Sequence, residues 1–168
     1  MSYKKSLINT ESILNANAGN FDKLAIEVFY SQYNNNAIYR QFCDALGVQV
    51  SEITDLTHIP FLPISFFKTH NVVSEPEFDL TMVDMVFESS GTTGEATSRH
   101  FITDPKVYEH SLLKGFDAFY GSPRNYAILA LLPSYLERGN SSLVYMAKTL
   151  MKESGHQDNG FYINEWGK

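Results

Sequence analysis

MVDMVFESSGTTGEATSRHF, residues 82–101, sets a run of apolar side chains against a run with almost none. Residues 82–87 are apolar apart from Asp84 and read as a strand, while Ser89, Ser90, Gly91, Thr92, Thr93 and Gly94 behind them cannot build a core. Without Cβ atoms at Gly91 and Gly94, consecutive backbone N–H groups can turn toward one anion, and the flanking hydroxyls add donors. That describes a phosphate cradle. An ordinary surface turn has the same composition and stays open as the competing reading. The P-loop pattern GxxxxGK[ST] is absent, because Gly91 is followed five residues later by Ala96 and Gly94 by Arg99. GxGxxG fails as well, since the two glycines stand three apart with no third.

Downstream of the loop, short apolar runs alternate with amphipathic ones, the pattern of an α/β layer structure. Asp104-Pro105 offers an N-cap and a first-turn proline for a helix through Phe119, with Val107, Leu112, Phe116 and Phe119 on or near one face and Gly121 as its end. Residues 126–132 form a continuous apolar run suited to a strand covered on both faces. Residues 141–154 predict a helix with Leu143, Met146, Ala147 and Leu150 inward and Gly155 as its cap, and residues 161–163 a last short strand. Upstream, Phe21, Leu24, Ala25, Val28 and Phe29 recur at helical spacing, Asn34-Asn35-Asn36 breaks the pattern, and Ile38, Phe42 and Leu46 resume it up to Gly47. Between these parts, Pro60, Pro63 and Pro76 rule out a long helix while Phe61, Leu62, Ile64, Phe66 and Phe67 still require burial, which predicts an extended, packed connector. The expectation is one α/β domain: residues 1–57 helical, 58–80 a Pro/Phe-rich connector, and 81–168 an α/β part carrying the loop, with the helical segment packed on a mixed, partly parallel sheet.

Composition limits the function. At 168 residues, 43% hydrophobic and 14% aromatic, the chain can bury one good core. Its 13 basic and 19 acidic residues give a net charge of −6, and no Lys/Arg stripe suits a phosphate backbone, so nucleic acid is not an expected partner. The longest apolar run, residues 126–133, is too short to span a bilayer, and the first twelve residues lack the apolar stretch of a signal peptide. A cytoplasmic protein is expected, in agreement with a single cysteine that allows no internal disulfide.

SSGTTGEATSRHF at 89–101, IPFLPISFFKTHNV at 59–72 and ALLPSYLERGNSSLVYMAKTLMKESG at 130–155 together resemble the acyl-protein synthetase family, the fatty-acid luciferin-component ligases within the adenylate-forming superfamily. The resemblance covers most of residues 58–163. It implies that Ser89, Ser90, Gly91, Thr92, Thr93 and Gly94 close on the β- and γ-phosphates of ATP, with Mg2+ as its companion ion. Arg99 and His100 stand where many adenylating enzymes carry a lysine, and Arg99 is the residue assigned to phosphate neutralisation. The implied chemistry is activation of a fatty acid, or another carboxylic acid, as acyl-AMP, followed by transfer of the acyl group to a thiol. Acyl-transferase and reductase partner proteins are implied with it. The fold implied is part of the large N-terminal domain of such an enzyme. The family's aromatic-Gly-x-Thr-Glu segment for adenine and Mg2+ is missing here; Tyr120-Gly121-Ser122-Pro123 starts like it and then fails. The expectation is therefore an N-terminal portion, inactive alone, with apolar strands that favour homo-oligomers. Two rivals remain: a phenylacetate-CoA ligase-like enzyme delivering to coenzyme A, and a non-catalytic truncated domain.

Other constellations point nowhere specific. Cys43, in IYRQFCDAL, sits beside the apolar face of a helix and fits a core residue better than an acyl acceptor. His58, His70, His100, His110 and His156 show no metal-ligand spacing. GxSxG is absent: Phe87 occupies the first glycine position before Ser89, and Leu143 the second after Ser141. The aromatics of FLPISFFK suit either an acyl channel or a core.

Overall fold

The computed structural model describes residues 8–74, 79, 81, 83–89, 97–132 and 139–163. It is mixed α/β, and the chain divides into two compact units, Met1–Met82 and Val83–Lys168. No described helix is long and apolar enough to cross a membrane.

The first unit is helical: α1 (Thr10–Leu14), α2 (Phe21–Asn35), α3 (Ala37–Ala45) and the single turn α4 (Phe66–Thr69). The asparagine triplet does what its chemistry favours. Asn36 leaves helical geometry, donates its N–H to Gln32 O at 2.8 Å to close α2, and accepts from Tyr39 N at 3.0 Å through its side chain to open α3. Gly47 follows α3 at φ +68°, a left-handed conformation that a Cβ would oppose. The core consists of Phe29, Tyr39, Cys43 and Ile53, with the Phe29 and Tyr39 rings edge-to-face at 6.2 Å. Two phenols fasten the chain that follows α3 to these helices: Tyr39 Oη donates to Pro60 O at 2.6 Å, and Tyr30 Oη to Val50 O at 3.1 Å and Ile53 O at 3.2 Å.

The connector differs from its expectation in two ways. It opens on a 3-10 turn at Leu56–His58 and is broken by α4, the first ending on Ile59 N to Leu56 O and the second on His70 N to Phe66 O; a further 3-10 turn at Val50–Glu52 precedes it. It is also only half packed. Leu62 joins the core and Phe66 meets Phe42 at 5.7 Å, but Phe61 is 83% exposed and Ile64 72%. Proline on either side of Phe61-Leu62 holds the backbone extended, so that with Leu62 inward Phe61 faces out, while Ile64 already lies in the turn that leads into α4.

The second unit contains β1 (Met85–Glu88), β2 (Arg99–Ile102), α5 (Pro105–Tyr120), β3 (Leu129–Ala130), α6 (Ser142–Ser154) and β4 (Gly160–Phe161). β1 and β2 pair antiparallel from Met85↔Ile102 to Glu88↔Arg99, and β3 and β4 pair parallel. α5 begins as its sequence predicts, Asp104 accepting from Lys106 N at 3.0 Å with Pro105 in the first turn, whereas α6 begins one residue later than expected, Ser141 standing outside the helix as its cap and accepting from Val144 N at 3.4 Å. Gly121 at φ +78° and Gly155 at φ +65° follow their C-termini.

Three sequence expectations need correction here. The strand over 126–132 shrinks to two paired residues, because Tyr126 N closes a 3-10 turn onto Pro123 O at 3.0 Å and Ile128 N goes to Asn159 Oδ1 at 2.8 Å. It is not covered on both faces: Leu129 and Leu131 stand exposed. On α6 the inward position near the start is Val144, with Leu143 outside, since the Ser141 cap sets the helix phase so that 144, 147 and 150 share the buried stripe. On α5 Phe119 lies in solvent beside Tyr120.

Candidate functional site

β1 ends where the small-residue loop begins, and that end is anchored by the packing beneath it. Phe87 is 5% exposed and meets Tyr108 of α5 at 5.0 Å and Tyr145 of α6 at 5.6 Å, while those two rings lie 5.9 Å apart. Burial pushes the Tyr108 phenol above its ordinary pKa. Tyr145 Oη donates to Glu109 Oε1 at 2.6 Å, which ties α6 to α5 across the same cluster. One residue further on, Glu88 N donates to Asn140 O at 2.8 Å, so the strand end is also held by the turn that leads into α6.

The loop leaves and returns through a closed neck. Ser89 N donates to Ser98 O at 3.1 Å, and Ser98 N donates to the Ser89 hydroxyl at 2.9 Å. In a regular antiparallel pair a backbone carbonyl would accept this second bond; here a side chain does so. Ser98 is buried at 8% exposure. Arg99 is exposed and pairs in register with Glu88, and its guanidinium carbon lies 5.7 Å from the Phe101 ring centre. His100 pairs with Phe87. Thus Ser89, Arg99 and His100 lie along the base of one hairpin, with Arg99 and His100 on opposite faces of β2. Ser90, Gly91, Thr92, Thr93 and Gly94 lie outside the described residues.

Sequence reasoning missed β2. SRHFI carries its own signal, with Phe101 and Ile102 beside Thr97 and Thr103, but no two-residue turn precedes it, and a ten-residue return from Ser89 to Ser98 is hard to recognise from patterning. The consequence is chemical: Arg99 and His100 are strand residues anchored beside the loop.

In the first unit, Cys43 is fully buried, and desolvation pushes its thiol above the ordinary range. It is a core residue, as its surroundings on α3 predict. The same unit holds a half-open groove of about 680 Å3 between α1, α2 and the connector. Ile13, Leu24, Val28, Leu62 and Phe67 contribute to its walls. Gln32 marks its polar place: Oε1 accepts from Ser74 Oγ at 2.7 Å and from Asn36 Nδ2 at 3.3 Å. Residues 32 and 74 are far apart in sequence and nothing in either neighbourhood announces the pair. Among the described residues no three His, Cys, Asp or Glu side chains come together as a metal site.

Over 72 residues the chain is 39% identical to the long-chain-fatty-acid--luciferin-component ligase of Vibrio harveyi, a match that covers 43% of this chain and 18% of that protein. No family model matches the chain. No solved structure matches it either.

Proposed function

We propose that this chain carries the phosphate-binding hairpin of an ATP-dependent ligase that activates a long-chain fatty acid as acyl-AMP and passes the acyl group to a thiol. The observation that carries the reading is the closed Ser89–Ser98 neck, which holds a Gly/Ser/Thr loop at the end of a strand anchored by Phe87, with Arg99 beside it. The partial likeness to a fatty-acid ligase supports the substrate class.

The donor set fits polyphosphate. Ser90, Thr92 and Thr93 bring hydroxyls, Gly91 and Gly94 have no Cβ to shield a backbone N–H from an anion, and Arg99 and His100 have guanidinium and ring N–H donors on the strand that follows. Bound ATP, with Mg2+, supplies an α-phosphate that a carboxylate attacks with loss of pyrophosphate. The chain's own residues then act by holding the β- and γ-phosphates still and neutralising their charge. A neck closed before ATP arrives lowers the ordering cost of binding, which is why anchoring by Phe87, Ser98 and Asn140 bears on function.

The test is 31P NMR of Mg·ATP titrated with the chain. Selective broadening of the β- and γ-resonances is expected. Thr92→Val with Thr93→Val removes two hydroxyl donors, each worth about 1.5–3 kcal/mol against a charged oxygen, so affinity should fall at least tenfold. Spectra unaffected by the wild-type chain, or equal affinity in the double variant, would remove the loop from nucleotide binding.

A further inference from the structure

We infer that the groove of the helical unit is a binding site for a single unbranched aliphatic chain, and that its occupant is a free long-chain fatty acid. That the occupant is a fatty acid rests on the ligase reading above; that an aliphatic chain binds here rests on the groove alone.

Three observations point to this chemistry. The first is size. At about 680 Å3 the groove lies within the ~300–1,000 Å3 of small-molecule sites. A fourteen-carbon chain at roughly 30 Å3 per carbon, close to a water molecule's share of liquid volume, takes about 420 Å3. The second is lining. Aliphatic and aromatic side chains from α1, α2 and the connector form most of the walls, and among the described residues none of those lining it carries a charge. A charged or strongly hydrated ligand would lose its water without compensation in such walls, whereas a hydrocarbon gains by leaving water. The third is polarity confined to one place. Gln32 accepts from Ser74 and Asn36 through Oε1, which turns its amide so that Nε2 remains as a donor with no acceptor among the described residues. A carboxyl oxygen is the group such a donor takes. An apolar trough with one amide donor suits an amphiphile with a short polar head.

The groove also accounts for an oddity of the connector. Phe61 is 83% exposed and still lines this cavity. A bound hydrocarbon would cover one face of that ring.

The experiment uses the whole 168-residue chain and tetradecanoic acid bearing a mid-chain diazirine, below its micelle concentration. After irradiation, digestion and mass spectrometry, adducts are expected on residues 13–74, and unlabelled tetradecanoate should suppress them. Competition by shorter acids should weaken about fourfold for each methylene removed. Ala25→Trp places a bulky ring in the groove and should reduce labelling at least tenfold. If that variant fails to fold by circular dichroism, the chain-length series on the wild type decides.

Adducts confined to residues 83–163, labelling that does not saturate, or no dependence on chain length would overturn the inference. The 31P titration separates this site from the ligase reading. Groove adducts with no effect on ATP leave the aliphatic site standing and remove the ligase. Normal ATP binding with no groove adducts removes the site alone.

Discussion

Ser89→Ala tests the neck most directly, because it deletes one acceptor and leaves every backbone bond of the hairpin in place. In the native hairpin Ser98 N donates to the Ser89 hydroxyl at 2.9 Å, and Ser98 is 8% exposed. Without the hydroxyl, a largely buried N–H loses its partner, a change worth about 1–3 kcal/mol. The other bond across the neck, Ser89 N to Ser98 O at 3.1 Å, remains and limits the loss to this local step. Taking 1.4–2 kcal/mol as a working figure, the open neck becomes about ten- to thirtyfold more populated. Native-state hydrogen exchange reads this at the amides of Ser98 and His100, and 31P titration of Mg·ATP reads whether the closed neck is the binding-competent state. Ser89→Thr keeps the hydroxyl and should restore both. Exchange accelerated by less than threefold would mean that water replaces the hydroxyl and the ladder alone holds the loop. A threonine variant as impaired as alanine would show that the serine acts through something other than this bond.

Tyr39 should make the helical unit sensitive to alkali. Burial, then the neighbouring Cys43 thiol, raise its phenol well above the usual value, while the unfolded chain ionises near pH 10. A pKa raised in the folded state means that this stabilisation is complete below about pH 10 and is lost as pH climbs from there toward the folded value. Tyr39→Phe should flatten that part of the alkaline loss and cost about 0.5–1.5 kcal/mol at neutral pH for the bond to Pro60 O; urea unfolding of both proteins falling in parallel between pH 8 and 11 would contradict it. Exposed Leu129 and Leu131 at the short parallel pair, with Phe119 on α5, should promote self-association, which light scattering after size exclusion detects as mass rising with concentration. Leu131→Lys should lower that mass, and a monomer at all concentrations would count against the idea.

Local patterning determined a good deal by itself. Helical spacing located α2, α3, α5 and α6, the asparagine triplet marked the break between α2 and α3, and capping chemistry placed several ends: Asp104-Pro105 before α5, and Gly47, Gly121 and Gly155 after α3, α5 and α6. These features depend on residues within one turn of each other, so a sequence window contains the whole interaction. The buried state of Cys43 was legible from the apolar neighbours on its own helix. What the tertiary structure alone decided involves partners far apart in the chain. β2 exists because β1 offers a ladder across a ten-residue return, and β3 is short because Asn159 and Pro123 take the N–H groups that a longer strand would need. The outward turn of Phe61 and Leu143 depends on which neighbouring surface each segment meets, not on their own hydrophobicity. The Ser89–Ser98 exchange and the Gln32–Ser74 pair are likewise contacts between distant segments, and a polar side chain's choice among distant partners leaves no periodic trace for a sequence to show.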